Sequence, residues 1–242
     1  RGTSLTPGGE QLLTHAEAME QAAGAIGDLR SLTTGTVSGV VRLACLEAFG
    51  QHIIVRNLPR LREHHPDLEL ELIPGSHGVS LARREADIAI GLNRPRRGRL
   101  AAAKLTDYRL GLYASPSYLE RHGTPATPAD LARHIRIGYI EDLMDFPELR
   151  SLDRLFGGAI SPFRSNSILA QEAAARQGIG IALLHGFSVR GAPDLVPVLP
   201  DAVSIPRSYW MTTTLDGRKR PHVRAVMDFV REAVADSQML FG

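Results

Sequence analysis

Polar side chains follow several apolar runs of this chain, at points where a strand would end. Such groups could hold a small ligand by hydrogen bonds and by charge. The candidate ligand-binding residues are Glu47, Ala48, Ser76, His77, Asn93, Tyr139, Arg164, Ser165, Asn166, Ser167 and His185. We predict ligand binding at these positions and no catalytic residue among them.

Several of these residues also have a simpler structural interpretation. Glu47 could only cap the helix that follows it, and residues 75–78 have the composition of a tight turn. Residues 165–167 could form a helix N-cap and nothing more. Tyr139 fits either a core position or a ring stacked on a ligand. Arg164 either neutralises a ligand carboxylate or is a solvated residue at the end of a strand.

Enzyme and metal motifs are missing from the sequence. The run Gly75-Ser76-His77-Gly78 misses the G-x-S-x-G nucleophile elbow by one residue. His64 and His65 are adjacent, so a helix would point them in different directions, and no Cys or carboxylate cluster completes a metal site. No glycine fingerprint for a nucleotide follows a strand. We therefore expect no metal, no cofactor and no enzymatic activity.

The elements around the first candidates alternate between strand and helix. A strand is predicted at 40–46, a helix from Phe49 to Leu61, a strand at 68–72, a short helix through Glu85 and a strand at 87–92. This β-α-β order predicts parallel strands with right-handed crossovers, and ligands favour the carboxyl ends of such strands.

A second series of similar elements follows the first. Two predicted strands, 100–105 and 108–114, lead into it. Its own predicted strands are 135–140, 160–164, 180–184 and 195–199, and its predicted helices are 117–122, 128–134, 146–156 and 167–177. The strand at 208–215 and the helix from Pro221 return to the first series. The sequence thus predicts an α/β fold with two lobes around a cleft. Residues 1–34 precede the lobes, 35–114 plus 208–242 form lobe I, and 115–207 form lobe II.

The N-terminal segment, residues 5–32, reads as a long helix with a narrow apolar stripe. Thr6 can cap it and Pro7 suits its first position. The stripe follows the four-and-three spacing of a coiled coil: Leu12, Ala16, Met19, Ala23 and Ile26. No nearby part of the chain covers this stripe, so we expect a homodimer or homotetramer. The alternative is a helix folded back on its own domain.

Composition limits the location and the partners of the protein. The 242 residues contain no run near the roughly 18 apolar residues of a membrane span, and the N-terminus lacks the pattern of a signal peptide. We therefore expect a soluble, cytoplasmic protein with no membrane partner. The one cysteine, Cys45, lies in an apolar run and should be a buried, inert thiol. A net charge of +2 is too small to mark a nucleic-acid-binding surface.

Several short motifs, in order along nearly the whole chain, carry a family resemblance. They are Leu5-Thr6-Pro7-Gly8-Gly9-Glu10, Gly39-Val40-Val41-Arg42-Leu43-Ala44, Ala86-Asp87-Ile88-Ala89-Ile90-Gly91, Ser115-Pro116 and Gly178-Ile179-Gly180-Ile181-Ala182-Leu183-Leu184. Together they resemble the LysR-type transcriptional regulators just after their winged helix-turn-helix. The sequence departs from the family pattern at Pro7-Gly8, at Leu46-Glu47-Ala48 and at His185.

The resemblance implies a bacterial transcription regulator with a linker helix that dimerises. It also implies a two-lobed effector domain of the type 2 periplasmic-binding-protein kind, with Rossmann-like lobes, and places residues 165–167 at the cleft. We expect a small-molecule effector there, possibly an organic acid. Promoter DNA would be bound only through the winged helix-turn-helix, which we expect to be absent from these residues, with residues 1–4 as the tail of its wing. The alternatives are a two-lobed solute-binding protein and an enzyme resembling porphobilinogen deaminase.

Overall fold

The computed structural model describes residues 6, 8–9, 11–12, 15–16, 19, 36–75, 80–81, 85–95, 100–143 and 156–241. The described positions between 8 and 19 are helical, as the sequence predicts. Leu12 and Met19 of the apolar stripe are 70% and 74% exposed, so the chain itself leaves them largely uncovered. Ala16 is also exposed, whereas Ala23 and Ile26 lie outside the described residues.

The first group of strands is parallel and is built around β1. Strand β1 pairs in parallel with β2 on one side and with β3 on the other. Helix α1 connects β1 to β2 and contains one wide π turn. The bounds are β1 Gly39–Cys45, α1 Glu47–Phe49 with its π turn Gly50–Val55 and continuation Arg56–His64, β2 Leu68–Pro74 and β3 Ile88–Gly91. Leu43, Phe49 and Ile88 are fully buried between these elements, which explains the apolar runs.

The second group of strands is also parallel and is built around β5, which pairs with β6 and with β7. Helix α2 begins at Pro116, where the Ser115 side chain caps the amide of Tyr118. The bounds are α2 Pro116–His122, a 3₁₀ turn Pro128–Arg133, β5 Arg136–Gly138, a 3₁₀ turn Glu141–Leu143, β6 Phe163–Arg164, α3 Ile168–Arg176, β7 Ile181–His185, α4 Gly186–Val189 and β8 Val196–Val198.

Two long antiparallel strands, β4 (Leu100–Ala114) and β9 (Ser204–Thr214), join the two groups. The strand order is β2-β1-β3-β9-β4-β7-β5-β6, with β8 paired to β4. The prediction of two strands at 100–105 and 108–114 is wrong, because the chain continues through a register shift between Lys104 and Thr106. The polar residues at this shift resemble a turn in sequence, but they form a bulge inside one strand.

The C-terminal elements return to the first group, as predicted. Helix α5 (Pro221–Asp236) packs against β1 and α1, and the short helix α6 (Gln238–Phe241) packs against α4. The segment after β7 begins with helix α4, where the sequence predicts neither a helix nor a strand. The helices predicted at 146–156 and up to Glu85 lie almost wholly outside the described residues.

Candidate functional site

Glu47 lies at the start of α1, directly after the carboxyl end of β1. Its carboxylate does not cap α1. Instead, the Ser167 hydroxyl lies 3.0 Å from both Glu47 carboxylate oxygens and donates to them. The Leu169 backbone amide donates more weakly to the same carboxylate, at 3.5 Å. Since Glu47 belongs to the first strand group and Ser167 to the second, this contact joins the two halves of the fold.

The loop before α3 is ordered by its own side chains. The Ser165 hydroxyl accepts a hydrogen bond from the Ser167 amide at 3.1 Å, and Asn166 accepts one from the Ile140 amide at 2.9 Å. The Ser167 hydroxyl in turn accepts from the Ala170 amide at 3.2 Å, which makes it the N-cap of α3. The predicted N-cap is therefore present, and the same hydroxyl also contacts Glu47.

This arrangement binds a carboxylate at the N-terminus of α3. Free amides and the helix dipole give a helix N-terminus a partial positive charge. The Ser167 hydroxyl donates its one proton to Glu47 and accepts a hydrogen bond from the Ala170 amide, so it is satisfied both as a donor and as an acceptor. Gln171, buried on the first turn of α3, donates to the Ser165 carbonyl at 2.6 Å and holds the loop against the helix.

The structure brings Glu47, Tyr139 and residues 165–167 to the carboxyl ends of β1, β5 and β6. Tyr139 is half-buried after β5. The pKa of Tyr108 is raised mainly by the burial of Tyr108 and, to a smaller extent, by its electrostatic interaction with Tyr139. Tyr139 therefore lies near the long strands that join the two halves. Arg164 is exposed at the end of β6, in register with Gly138.

The remaining candidates are more scattered. Ala48 is buried on the first turn of α1 with 1% exposure, which makes it a packing residue, and Asn93 is exposed beyond β3. Ser76 and His77 lie outside the described residues.

His185 ends β7 inside a cluster of aromatic rings. It stacks on Tyr108 with ring centroids 5.3 Å apart and contacts Phe187 at 5.2 Å. Burial, with a smaller contribution from nearby His52, lowers the pKa of His185 to about 3. The imidazole is therefore neutral at physiological pH. The Nδ1 atom is buried without a hydrogen-bond partner in the described part of the chain.

The sequence did not reveal a second contact between the two halves, made by His52 on the π turn of α1. Its Nε2 atom lies 3.9 Å from the Glu172 carboxylate on α3. Burial lowers the pKa of His52, and the Glu172 charge opposes this effect only in part. The imidazole is therefore mainly neutral at neutral pH, and the two side chains pack together without an ion pair. Glu172 is instead bonded by Ser188 at 2.9 Å and by Arg176 at 2.8 Å. A search for apolar residues at the 3.6-residue spacing of an α-helix does not indicate this contact, because the π turn rotates the residues that follow it relative to those before it.

Two further properties bear on the chemistry of the site. Among the described residues, no group of three or more His, Cys, Asp or Glu side chains is placed to hold a metal ion. No helix in that same part of the chain is long and apolar enough to cross a membrane.

Comparison with known proteins places this geometry in a family. The sequence pattern described as "LysR substrate binding domain" matches residues 34–235. The chain is 28% identical over 210 residues to the HTH-type transcriptional regulator CrgA of Neisseria meningitidis, covering 84% of this chain and 70% of that protein. It is 31% identical over 146 residues to the Mau operon transcriptional activator of Paracoccus denitrificans, covering 60% of this chain and 48% of that protein.

The fold is shared with solved structures of such regulators. The CrgA regulatory domain gives a TM-score of 0.70 at 24% identity, covering 81% of this chain and 99% of that one. A second CrgA structure gives a TM-score of 0.73 at 23% identity, and this match covers 97% of this chain and 81% of the CrgA chain. The fold prediction is thereby confirmed: the architecture is that of the two-lobed, type 2 periplasmic-binding-like regulatory domains.

Proposed function

We propose that this chain, which belongs to the LysR substrate binding domain family, senses a small molecule in the cleft between its two lobes. It is the effector-binding part of a LysR-type transcriptional regulator, and its relatives are regulators and not solute-binding proteins. The chain spans 70% of CrgA but only 48% of the Paracoccus activator. The activity and partners of the whole protein are therefore part of the proposal.

The observation that carries the proposal is the contact of Glu47 with Ser167 at the N-terminus of α3. It lies at the carboxyl ends of parallel strands, where open α/β sheets bind ligands. It also joins the proposed lobe I, residues 35–114 plus 208–242, to lobe II, residues 115–207. A ligand that changes this contact changes how the two lobes are held.

The proposed effector is an organic acid. The N-terminus of α3 already accepts one carboxylate, that of Glu47, through a hydroxyl and an amide. An acid from solution would take the same donors and release Glu47 from lobe II. Tyr139, Arg164 and Asn166 are the candidates to contact the rest of the effector. Ser76 and His77, with Asn93 and His185, remain candidates from the sequence.

Effector binding would reach DNA through the assembly of the regulator. An effector shifts the protein only by its different affinity for two arrangements of lobes or subunits. We propose that the stripe containing Leu12, Ala16 and Met19, with Ala23 and Ile26, forms the interface of a homodimer or homotetramer. The exposure of Leu12 and Met19 supports this. Promoter DNA would be bound by a winged helix-turn-helix, in the cytoplasm, and the chain would have no enzymatic activity.

Thermal denaturation with a panel of ligands tests the effector class. A ligand at about 100 times its Kd stabilises a protein by about 2.7 kcal/mol. That corresponds to a rise in Tm of about 5–10 °C for a domain of this size. We expect short aliphatic or aromatic acids to give such a rise, and a larger one in Glu47→Ala, where the competing carboxylate is gone.

Sugars and nucleosides serve as the contrasting ligands, and Glu71→Ala serves as the control variant. Glu71 on β2 forms an exposed ion pair with Arg42 on β1, away from α3, so its loss should leave the acid response unchanged. Stabilisation by sugars or nucleosides, with none by acids, would show that the effector is not an acid.

A further inference from the structure

A cavity lies where the second half of β4 meets α4 and α6, and the described residues that line it take no part in the Glu47 contact. Its walls are the second half of β4, helix α4 with the turn that follows it, the segment before β9, and the C-terminal helix α6. Its volume of about 360 Å³ falls within the range of about 300–1,000 Å³ typical of small-molecule sites. We propose that this cavity binds a small carboxylate with an apolar body.

The inner surface of the cavity is apolar. Leu112 lines it from β4, and Leu195 and Val203 line it from lobe II, each with 4% exposure or less. Phe241 covers it from α6. Gly191 is part of the wall, and space around its Cα is open, so no side chain fills that side. Burying the apolar part of a ligand here would stabilise the complex by about 25 cal/mol of free energy per Å² of apolar surface removed from water.

The mouth of the cavity is positively charged. Among the described residues, its lining includes two arginines, Arg109 and Arg190, and no Asp or Glu. Arg109 donates to the Ser204 hydroxyl at 3.0 Å, a single bond for a group with five N–H donors. Arg190 lines the cavity together with Tyr113, whose pKa is raised by burial and lowered in part by the Arg190 charge. Guanidinium groups pair with planar carboxylates in a two-pronged geometry.

The cavity is connected by ring contacts to the strands between the lobes. Phe241 on α6 lies 5.2 Å from Phe187 on α4, measured between ring centroids. Phe187 contacts Tyr108 at 5.7 Å, and Tyr108 stacks on Tyr209 at 4.4 Å. Tyr108 is in β4 and Tyr209 is in β9, the two strands that join the lobes. A ligand that displaces α6 therefore acts on the same strands as an effector in the cleft.

Isothermal titration calorimetry with octanoate tests this site, with octanol and octylamine as ligands of similar apolar length. We expect octanoate to bind the wild-type chain at least tenfold more tightly than octanol, and octylamine to bind more weakly than either. Removing one charge-assisted bond should weaken octanoate about tenfold or more in Arg109→Gln. The control Arg231→Gln removes an exposed arginine from α5 and should leave binding unchanged.

Two further variants separate this cavity from the cleft. Ala192→Phe should fill the cavity from its partly exposed rim and abolish octanoate binding, with a circular dichroism spectrum like that of the wild type. Ser167→Ala, in the cleft, should leave octanoate binding intact. The proposal is overturned if octanoate does not bind at millimolar concentration, if octanol binds equally well, or if Ser167→Ala abolishes binding while Arg109→Gln does not.

Discussion

The contact between Glu47 and Ser167 should stabilise the observed arrangement of the two lobes by a measurable amount. Glu47 is partly exposed, and its carboxylate accepts a charge-assisted hydrogen bond from the Ser167 hydroxyl at 3.0 Å. Such bonds contribute about 1.5–3 kcal/mol, and a carboxylate at a helix N-terminus adds about 0.3–1 kcal/mol. Because partial exposure weakens both effects, we expect Glu47→Ala to cost about 2 kcal/mol, or about 4–8 °C in Tm.

A double-mutant cycle separates this contact from the capping of α3. Ser167→Ala removes the contact and also uncaps the helix, which costs about 1 kcal/mol by itself. The free energy of unfolding is measured for Glu47→Ala, Ser167→Ala and the double variant by urea denaturation at fixed protein concentration. We expect a coupling energy of about 1–2 kcal/mol, because the second substitution no longer has a contact to break.

Glu71→Ala again provides the matched control. It removes a carboxylate that is 43% exposed and paired with Arg42, so we expect a cost of at most about 1 kcal/mol. It should show no coupling with Ser167→Ala. Independent sites add within about 0.5 kcal/mol. A coupling energy between Glu47 and Ser167 below that value would refute the idea that their contact holds the lobes together.

Three other predictions follow from the buried and exposed side chains. The lowered pKa of His185 means that only the unfolded state takes up its proton between pH 6.5 and about 3, so stability should fall as pH decreases. His185→Phe should make this fall shallower by up to about 1.4 kcal/mol per pH unit in urea denaturation, and equal slopes would contradict the assignment. The double variant Leu12→Glu, Met19→Glu should sediment as a monomer. The control Met239→Glu, at an 84% exposed position on α6, should leave the oligomer intact. A persistent oligomer in the double variant would argue against the stripe as the interface. Cys45, whose pKa is raised to about 12 by burial, should not react with a thiol reagent until urea unfolds the chain, and rapid reaction under native conditions would be inconsistent with its position.

The order of strands and helices was predictable because each buried strand is a short apolar run with turn residues on both sides. Strand β1 was predicted at 40–46 and is Gly39–Cys45, and α3 was predicted at 167–177 and is Ile168–Arg176. The error at β4 came from Thr106 and Asp107, which are polar enough to resemble a turn. Tertiary pairing with β9 along its length keeps this strand continuous.

The contacts between the lobes were not predictable from one sequence. Glu47 was a candidate because it follows a strand, but Ser167 is 120 residues away along the chain. The capping role of Ser167 depends only on local sequence, whereas the contact of Ser167 with Glu47 depends on how the two lobes pack. The same is true of His52 and Glu172, whose approach depends on a π turn that hydrophobic periodicity does not indicate.

The Glu47 contact has a consequence for how tightly an acid could bind. If an acid takes the donors now used by Glu47, binding must first break a contact that stabilises the observed lobe arrangement by about 2 kcal/mol. The apparent affinity then falls by a factor of about 30 compared with a cleft that lacks the competing carboxylate. The same contact lets the acid act as a signal, because a ligand shifts the lobes only through its different affinity for two arrangements, and breaking the contact supplies such a difference. A chain with Glu47→Ala should therefore bind the acid more tightly and respond to it less.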